Sequence, residues 1–257
     1  MKVVVLCGGL GTRLREETEF RPKPMVEIGG RPILWHIMKI YAHSGFREFV
    51  LCLGYRGSMI KEYFLNYEAM NNDFTICLGS KSHIRYNGGH TEQGFEVTLA
   101  DTGLNTMTGG RLQRVQKYVD GETFMLSYGD GLADINIGRL LDFHKNHGRI
   151  ATVTTVTPIS RFGVVEMSGS GQVLKFVEKP RTETLASAGF FVFEPQIFDY
   201  LEGDDCIFEH RPLQRLSVEG QLMAYQHEGF FYAMDTYREY EHLNNLWVSG
   251  NPPWKIW

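Results

Sequence analysis

The sequence predicts an α/β fold built on a parallel sheet. Three observations carry that reading. A short, β-branched apolar run, Val3-Val4-Val5-Leu6-Cys7, empties into Gly8-Gly9-Leu10-Gly11, as a buried strand does when it ends in a turn. Apolar residues at helical spacing follow, and a second apolar run, Phe49 to Tyr55, comes after them; strand, helix and strand in that order make a parallel pair. The same alternation continues through a helix-patterned segment, Ile137 to Asn146, and a strand-patterned one, Ile150 to Thr157.

At 257 residues, 43% of them hydrophobic, the chain can bury a full core. A net charge of -4 with no block of Lys and Arg argues against a nucleic-acid partner, so any phosphate binding must be local. No signal-peptide pattern and no apolar run of bilayer length stand in the sequence, so no membrane partner and a cytoplasmic location are expected. Cys7, Cys52, Cys77 and Cys206 have no C-x-x-C spacing and are expected to be buried thiols rather than disulfides or zinc ligands. With no repeat or linker, residues 1–257 are expected to form one domain.

Each element has its own signal. Pro32 opens a helix carrying Ile33, Leu34, Ile37, Met38, Ile40 and Tyr41 on one face, and Gly45 is placed to stop it. A short helix is expected from Met59 to Tyr67 and a strand from Phe74 to Leu78. Residues 79–94, with Lys81, His83, Arg85, Gly88, Gly89 and His90, read as a solvated polar loop. Phe95 to Leu99 resumes as a strand, and Leu112, Val115 and Val119 give a helical face that Thr108 is placed to cap. Thr123 to Tyr128 is a strand ending at Gly129-Asp130-Gly131. Val164–Met167 and Val173–Val177, joined by Ser168-Gly169-Ser170-Gly171, read as a hairpin. Gly189 to Phe193 is a strand; helices are expected over Gln196–Leu201, Pro212–Val218 and Arg238–Val248.

The chemistry gathers at element ends. Glycines let backbone N–H groups approach phosphate, and Arg13 and Lys23 supply charge close behind them. A tight turn is the competing reading of the glycines alone. The P-loop pattern fails because Arg13 stands where its Gly-Lys-Ser/Thr end would begin, and the dinucleotide pattern fails at Leu14. Asp130, bracketed by glycines, and Asp235, just before the last helix, are carboxylates a metal-bound phosphate could reach, although an ordinary Asp-Gly turn is the favoured reading of Asp130 taken alone. Asp134 lies close by as a spare carboxylate, and Arg111 reads as either a ligand residue or a surface arginine. A phosphate loop, two separated aspartates and Lys179 behind a hairpin are together the parts of nucleotidyl transfer, in which one phosphate attacks the α-phosphorus of a nucleoside triphosphate and expels pyrophosphate.

The run Gly8-Gly9-Leu10-Gly11-Thr12-Arg13-Leu14 with Lys23-Pro24-Met25 resembles the opening of the sugar-phosphate nucleotidyltransferases. Thr108-Gly109-Gly110-Arg111-Leu112, Tyr128-Gly129-Asp130-Gly131 and the tail Pro253-Trp254-Lys255 resemble their cytidylyl branch, and Glu178-Lys179-Pro180 and Met234-Asp235-Thr236 extend the likeness along the whole chain. The resemblance implies a Rossmann-like, mixed and mostly parallel sheet between helices with a smaller substrate-binding lobe, the nucleotide part over about 1–135 and the sugar-phosphate part over about 136–257. It implies Mg²⁺, CTP and a phosphorylated small-molecule acceptor, α-D-glucose 1-phosphate, with CDP-glucose and pyrophosphate as products, and a homo-oligomer, a hexamer.

By the same resemblance Lys23, Arg13 and Asp130 are catalytic. Leu6, Gly8, Gly9, Gly11, Thr12, Arg13, Lys23, Thr102, Gly103 and Arg111 hold the nucleotide, and Asp130 and Asp235 hold the metal. Tyr128, Gly163, Glu178, Lys179, Ser187 and Gly189 hold the acceptor. One departure bears on that last group: Ser187-Ala188-Gly189-Phe190 stands where the family has Asn-Gly-Gly-Phe. Another hexose 1-phosphate or a non-sugar phosphate is therefore the alternative acceptor, and a non-catalytic nucleotide-binding protein the alternative of another class.

Overall fold

The computed structural model describes residues 1–79, 83–119, 121–160, 162–182 and 184–257; Lys81 and Arg161 lie outside them. Seven strands form the central sheet, in the edge-to-edge order Leu222–Gln226, Ala151–Val156, Ala186–Phe193, Phe124–Tyr128, Lys2–Cys7, Glu48–Leu53 and Glu96–Asp101. Ala186–Phe193 runs antiparallel to both its neighbours, and the remaining pairings are parallel. The sheet is thus mixed and mostly parallel, as the sequence led us to expect.

Side-chain alternation explains why its central strands read as unbroken apolar runs. Val3 and Val5, Phe49 and Leu51, Met125, and Phe190 and Val192 face one core. Val4, Val50, Phe124 and Leu126, and Phe191 and Phe193 face the other. Both faces are covered, so neither needs polar residues. The first is closed by Ile33–His43, Ile137–His147 and Tyr237–Val248, with Trp254 of the tail fully buried beside them. The second is closed by Thr108–Arg114 with Val115 and Val119, by the 3₁₀ turn Pro195–Tyr200 and by Arg211–Val218.

Several local expectations are corrected. The helix read over Met59–Tyr67 is two, Gly57–Leu65 and Tyr67–Asn71, broken at Asn66. Within the stretch read as a loop, His83–Tyr86 pairs antiparallel with Phe74–Cys77. His90 is not solvated there: its ring packs on Tyr67 and its Nε2 lies 2.9 Å from a Glu68 carboxylate oxygen. Thr108 is not a cap, because the helix is capped at Met107 and makes no side-chain cap bond. Cys7 and Cys52 are buried, but Cys77 is exposed and Cys206 half-buried. The Leu222–Gln226 edge strand and the ladder between Gly131–Ala133 and Phe231–Ala233 were not foreseen.

Candidate active site

The strand that opens the chain lies between Phe124–Tyr128 and Glu48–Leu53, so the sheet is wound outward from it in both directions. Ligands of such sheets bind outside the carboxyl ends of the strands at that reversal. Gly8, Gly54, Thr102 and Gly129 follow those ends directly, and the antiparallel strand brings Ser187 to the same edge from its own beginning. Asp130 and Asp235 are joined there by the unforeseen ladder, in which Gly131 opposes Ala233 and Met234 N–H donates to the Asp130 carbonyl at 2.9 Å.

The three loop glycines have three different reasons. Gly11 sits in the left-handed region at φ 65°, where a side chain is strained, and its carbonyl accepts from Leu14 N–H and Thr18 Oγ1. Gly8 is not left-handed; a Cβ there would lie 2.2 Å from Arg111 Nη1, so it is glycine because a guanidinium rests against it. Gly9 is exposed and a Cβ there would meet nothing within 4 Å, which makes it the open part of the loop.

Arg111 is 4% exposed and donates to five oxygens: Leu53 O at 3.1 Å, Thr102 Oγ1 at 2.8 Å, Gly103 O at 2.7 Å, Gly8 O at 3.0 Å and Leu104 O at 3.1 Å. None of these acceptors is a carboxylate, and burial lowers the Arg111 pKa from its ordinary value. Thr102 is fully buried and donates to Leu53 O, while Gly103 N–H is held by the Asp101 carboxylate. The three residues read from the sequence as nucleotide contacts thus tie the ends of three strands together behind the loop.

Lys23 comes from the turn Lys23–Met25, which Pro22 and Pro24 fix on either side. Its ammonium donates to Asp130 Oδ2 at 2.7 Å and to Asp235 Oδ1 at 2.8 Å, and Arg13 Nη1 donates to Asp235 Oδ2 at 3.1 Å. Burial alone would lower the Lys23 pKa; Asp130 and Asp235 outweigh it and hold the ammonium above its ordinary value. Asp235 is placed by the capping box of the last helix, where Glu239 accepts from the Asp235 and Thr236 N–H groups. Two carboxylates from separate elements converging on one cation are a donor set that suits Mg²⁺, which takes one or two carboxylates and completes its shell with phosphate and water. No cluster of three His, Cys, Asp or Glu stands among the described residues. Asp134 serves the scaffold, accepting from Phe230 N–H at 2.7 Å and pairing with His227.

Two cavities meet at this edge. One, of about 630 Å³, is lined by Leu6, the glycine loop, Thr12, Arg13 and Lys23, and reaches Asp130 and Asp235. The other, of about 690 Å³, is lined by Lys179 and Arg181; Ser187, Phe231, Ala233 and Asp235 line both. Lys179 holds a left-handed φ of 47°, unusual for a side-chain-bearing residue and worth about 1 kcal/mol of strain. It pairs with Glu178 at 3.5 Å. Glu178 is 61% exposed and, with Gly163, stands on the hairpin outside both cavities. Tyr128 lines the cavity of the glycine loop rather than that of Lys179, its ring against Gly189, which is left-handed at φ 75°.

Sequence reasoning missed Glu209, which also lines the first cavity. Its Oε1 accepts from Tyr128 O–H and its Oε2 from Thr108 O–H, each at 2.6 Å. The residue lies in a turn without periodicity, so no pattern marks it.

A family profile described as nucleotidyl transferase matches residues 2–206. The chain is 48% identical over 259 residues to a glucose-1-phosphate cytidylyltransferase of Salmonella typhi, covering 100% of each. It is 44% identical over 258 residues, again covering 100% of each, to a probable glucose-1-phosphate cytidylyltransferase of Bacillus subtilis (strain 168). Among solved structures, a UDP-glucose pyrophosphorylase complexed with UDP-glucose superposes with a TM-score of 0.69 at 17% identity over 97% of this chain and 99% of that one. A putative glucose-1-phosphate thymidylyltransferase from Bacillus anthracis gives 0.69 at 18% identity, over 96% and 94%. At these identities the likeness is one of fold.

Proposed function

The chain belongs to the nucleotidyl transferase family, and we propose that it joins CTP and α-D-glucose 1-phosphate to give CDP-glucose and pyrophosphate. The observation that carries the chemistry is the cluster of Lys23, Arg13, Asp130 and Asp235 beside the glycine loop. Identity of 48% and 44% along the whole chain to glucose-1-phosphate cytidylyltransferases supports the substrates. The sugar phosphate oxygen attacks the α-phosphorus in line, and the protein's share is positioning and charge neutralisation.

Gly9, Gly11, Thr12 and Arg13 hold the triphosphate, and the Lys23 ammonium neutralises charge that grows on the α-phosphate. Gly8, Thr102, Gly103 and Arg111 hold the loop in shape. Asp130 and Asp235 would hold Mg²⁺, which when bound would supply charge screening for the triphosphate and the leaving pyrophosphate. Lys179 binds the phosphate of the acceptor, with Ser187 at the boundary of the two cavities. The chain acts as one domain, its first part, to about residue 135, for the nucleotide and the rest for the sugar phosphate.

A homo-oligomer is supported by two ribbons that expose apolar side chains: Phe74, Ile76 and Ile84 on one, Val164, Leu174 and Phe176 on the other. A two-stranded ribbon is marginal without a covering surface. No helix among the described residues is long and apolar enough to cross a membrane. Use of CTP is what supports the cytoplasm as the working compartment.

Pyrophosphate release from CTP, measured across a panel of phosphorylated acceptors, tests the proposal. Glucose 1-phosphate is expected to give the strongest signal. Release with another acceptor alone would overturn the sugar assignment and leave the transfer chemistry in place.

A further inference from the structure

We propose that Glu209 sets the choice of base by fixing two hydroxyls, those of Thr108 and Tyr128, as acceptors toward the nucleotide. The inference rests on the CTP reading above and deepens it.

A hydroxyl carries one proton and two lone pairs. Thr108 and Tyr128 both give that proton to Glu209, at 2.6 Å each. Thr108 Oγ1 also accepts from Phe208 N–H at 2.9 Å, which leaves it one lone pair. A carboxylate can only accept. The three side chains therefore form one patch with nothing to donate and several lone pairs to offer, and all three line the cavity of the glycine loop.

The phosphate-binding residues of the same cavity gather around Lys23, with Asp130 two residues beyond Tyr128. On this proposal the base of a nucleotide whose triphosphate lies there sits against Thr108, Tyr128 and Glu209. Cytosine brings a 4-amino group, a donor, where uracil brings a carbonyl, an acceptor. Where the acceptor-only patch meets position 4, and not the N3–H that uracil also carries, the amino group pairs and the carbonyl faces lone pairs while displacing water that had donated to them. The patch thus favours CTP over UTP through lone pairs alone.

Glu209→Gln tests this directly. A glutamine side chain keeps one acceptor and gains two donors, so at least one hydroxyl accepts from it and turns its own proton to the cavity. Steady-state kcat and KM for CTP and UTP are measured with glucose 1-phosphate, and nucleotide binding is followed by calorimetry without acceptor. The expected result is a fall of about tenfold or more in the CTP-to-UTP ratio of kcat/KM, carried by the KM values. A ratio within twofold of wild type, with both substrates weakened equally, overturns the inference. Should Glu209→Gln fail to fold, Tyr128→Phe removes one of the two fixed acceptors and must lower the same ratio. Wild type that turns over UTP as well as CTP overturns the inference alone, and wild type that binds neither nucleotide overturns the cytidylyl reading together with it.

Discussion

Replacing Lys23 with Met should separate two roles that the structure gives to one ammonium. Lys23 Nζ lies 2.7 Å from Asp130 Oδ2 and 2.8 Å from Asp235 Oδ1, and its side chain is 13% exposed. At an effective dielectric of about 20 and charge centres ~4 Å apart, each pair attracts by about 4 kcal/mol. The carboxylates that would bind Mg²⁺ are therefore the ones that Lys23 already engages, and the two cations compete for them. Removing the ammonium should lower the Mg²⁺ concentration for half-maximal nucleotide binding by about tenfold or more, since about 1.4 kcal/mol of that attraction suffices for each factor of ten. Turnover should move the other way. Loss of one charge-assisted contact to a transition-state oxygen costs about 3–4 kcal/mol, or 10²–10³ in kcat. Pyrophosphate release over a Mg²⁺ series reads the rate, and calorimetric CTP binding over the same series reads the metal dependence, with circular dichroism to confirm the fold. A kcat within threefold of wild type would refute the catalytic role. A raised Mg²⁺ requirement would refute the competition.

Two further predictions concern the scaffold. Arg111→Met strands the Gly103 and Leu104 carbonyls that the guanidinium satisfies, whereas Gly8 O keeps the Tyr55 N–H; at about 1 kcal/mol each, unfolding should become easier by about 2 kcal/mol, and calorimetry should show a drop of roughly 4–8 °C in Tm. An unchanged Tm would mean that the loop does not depend on that residue. His36 is fully buried, and desolvation lowers its pKa from 6.5 to about 4. The unfolded imidazole takes its proton first, so the stabilisation is fully present above pH 6.5 and is lost as pH falls through about 4. Urea unfolding at pH 5 and pH 7 should differ by about 2 kcal/mol from this group. His36→Gln should lack that step, and a variant with the wild-type pH profile would assign it elsewhere.

The parallel sheet was legible because its central strands, buried on both faces, leave runs such as Val3 to Cys7 and Phe49 to Leu53 that no polar residue interrupts. Asp130 and Asp235 were legible for a related reason: each stands alone at the end of an apolar element, where a scaffold has no use for a charge. That they meet was not. Their meeting depends on a ladder of three residues a side, Gly131–Ala133 with Phe231–Ala233, too short for any periodicity. Leu222–Gln226 escaped notice because Leu-Met-Ala-Tyr-Gln holds no β-branched residue. Gly8 could be recognised as a loop glycine, yet its cause, the guanidinium of Arg111 more than a hundred residues away in sequence, lies in the tertiary packing. Glu209 gave no local signal at all, since its two partners come from a strand end and a helix start.

Exchange of labelled pyrophosphate into CTP, run with and without α-D-glucose 1-phosphate, bears most directly on transfer from nucleotide to sugar phosphate in a single in-line step. Exchange should appear only when the sugar phosphate is present, because reversal needs CDP-glucose. Exchange with CTP alone would show a nucleotidylated protein in its place, and no exchange under either condition would contradict the activity itself.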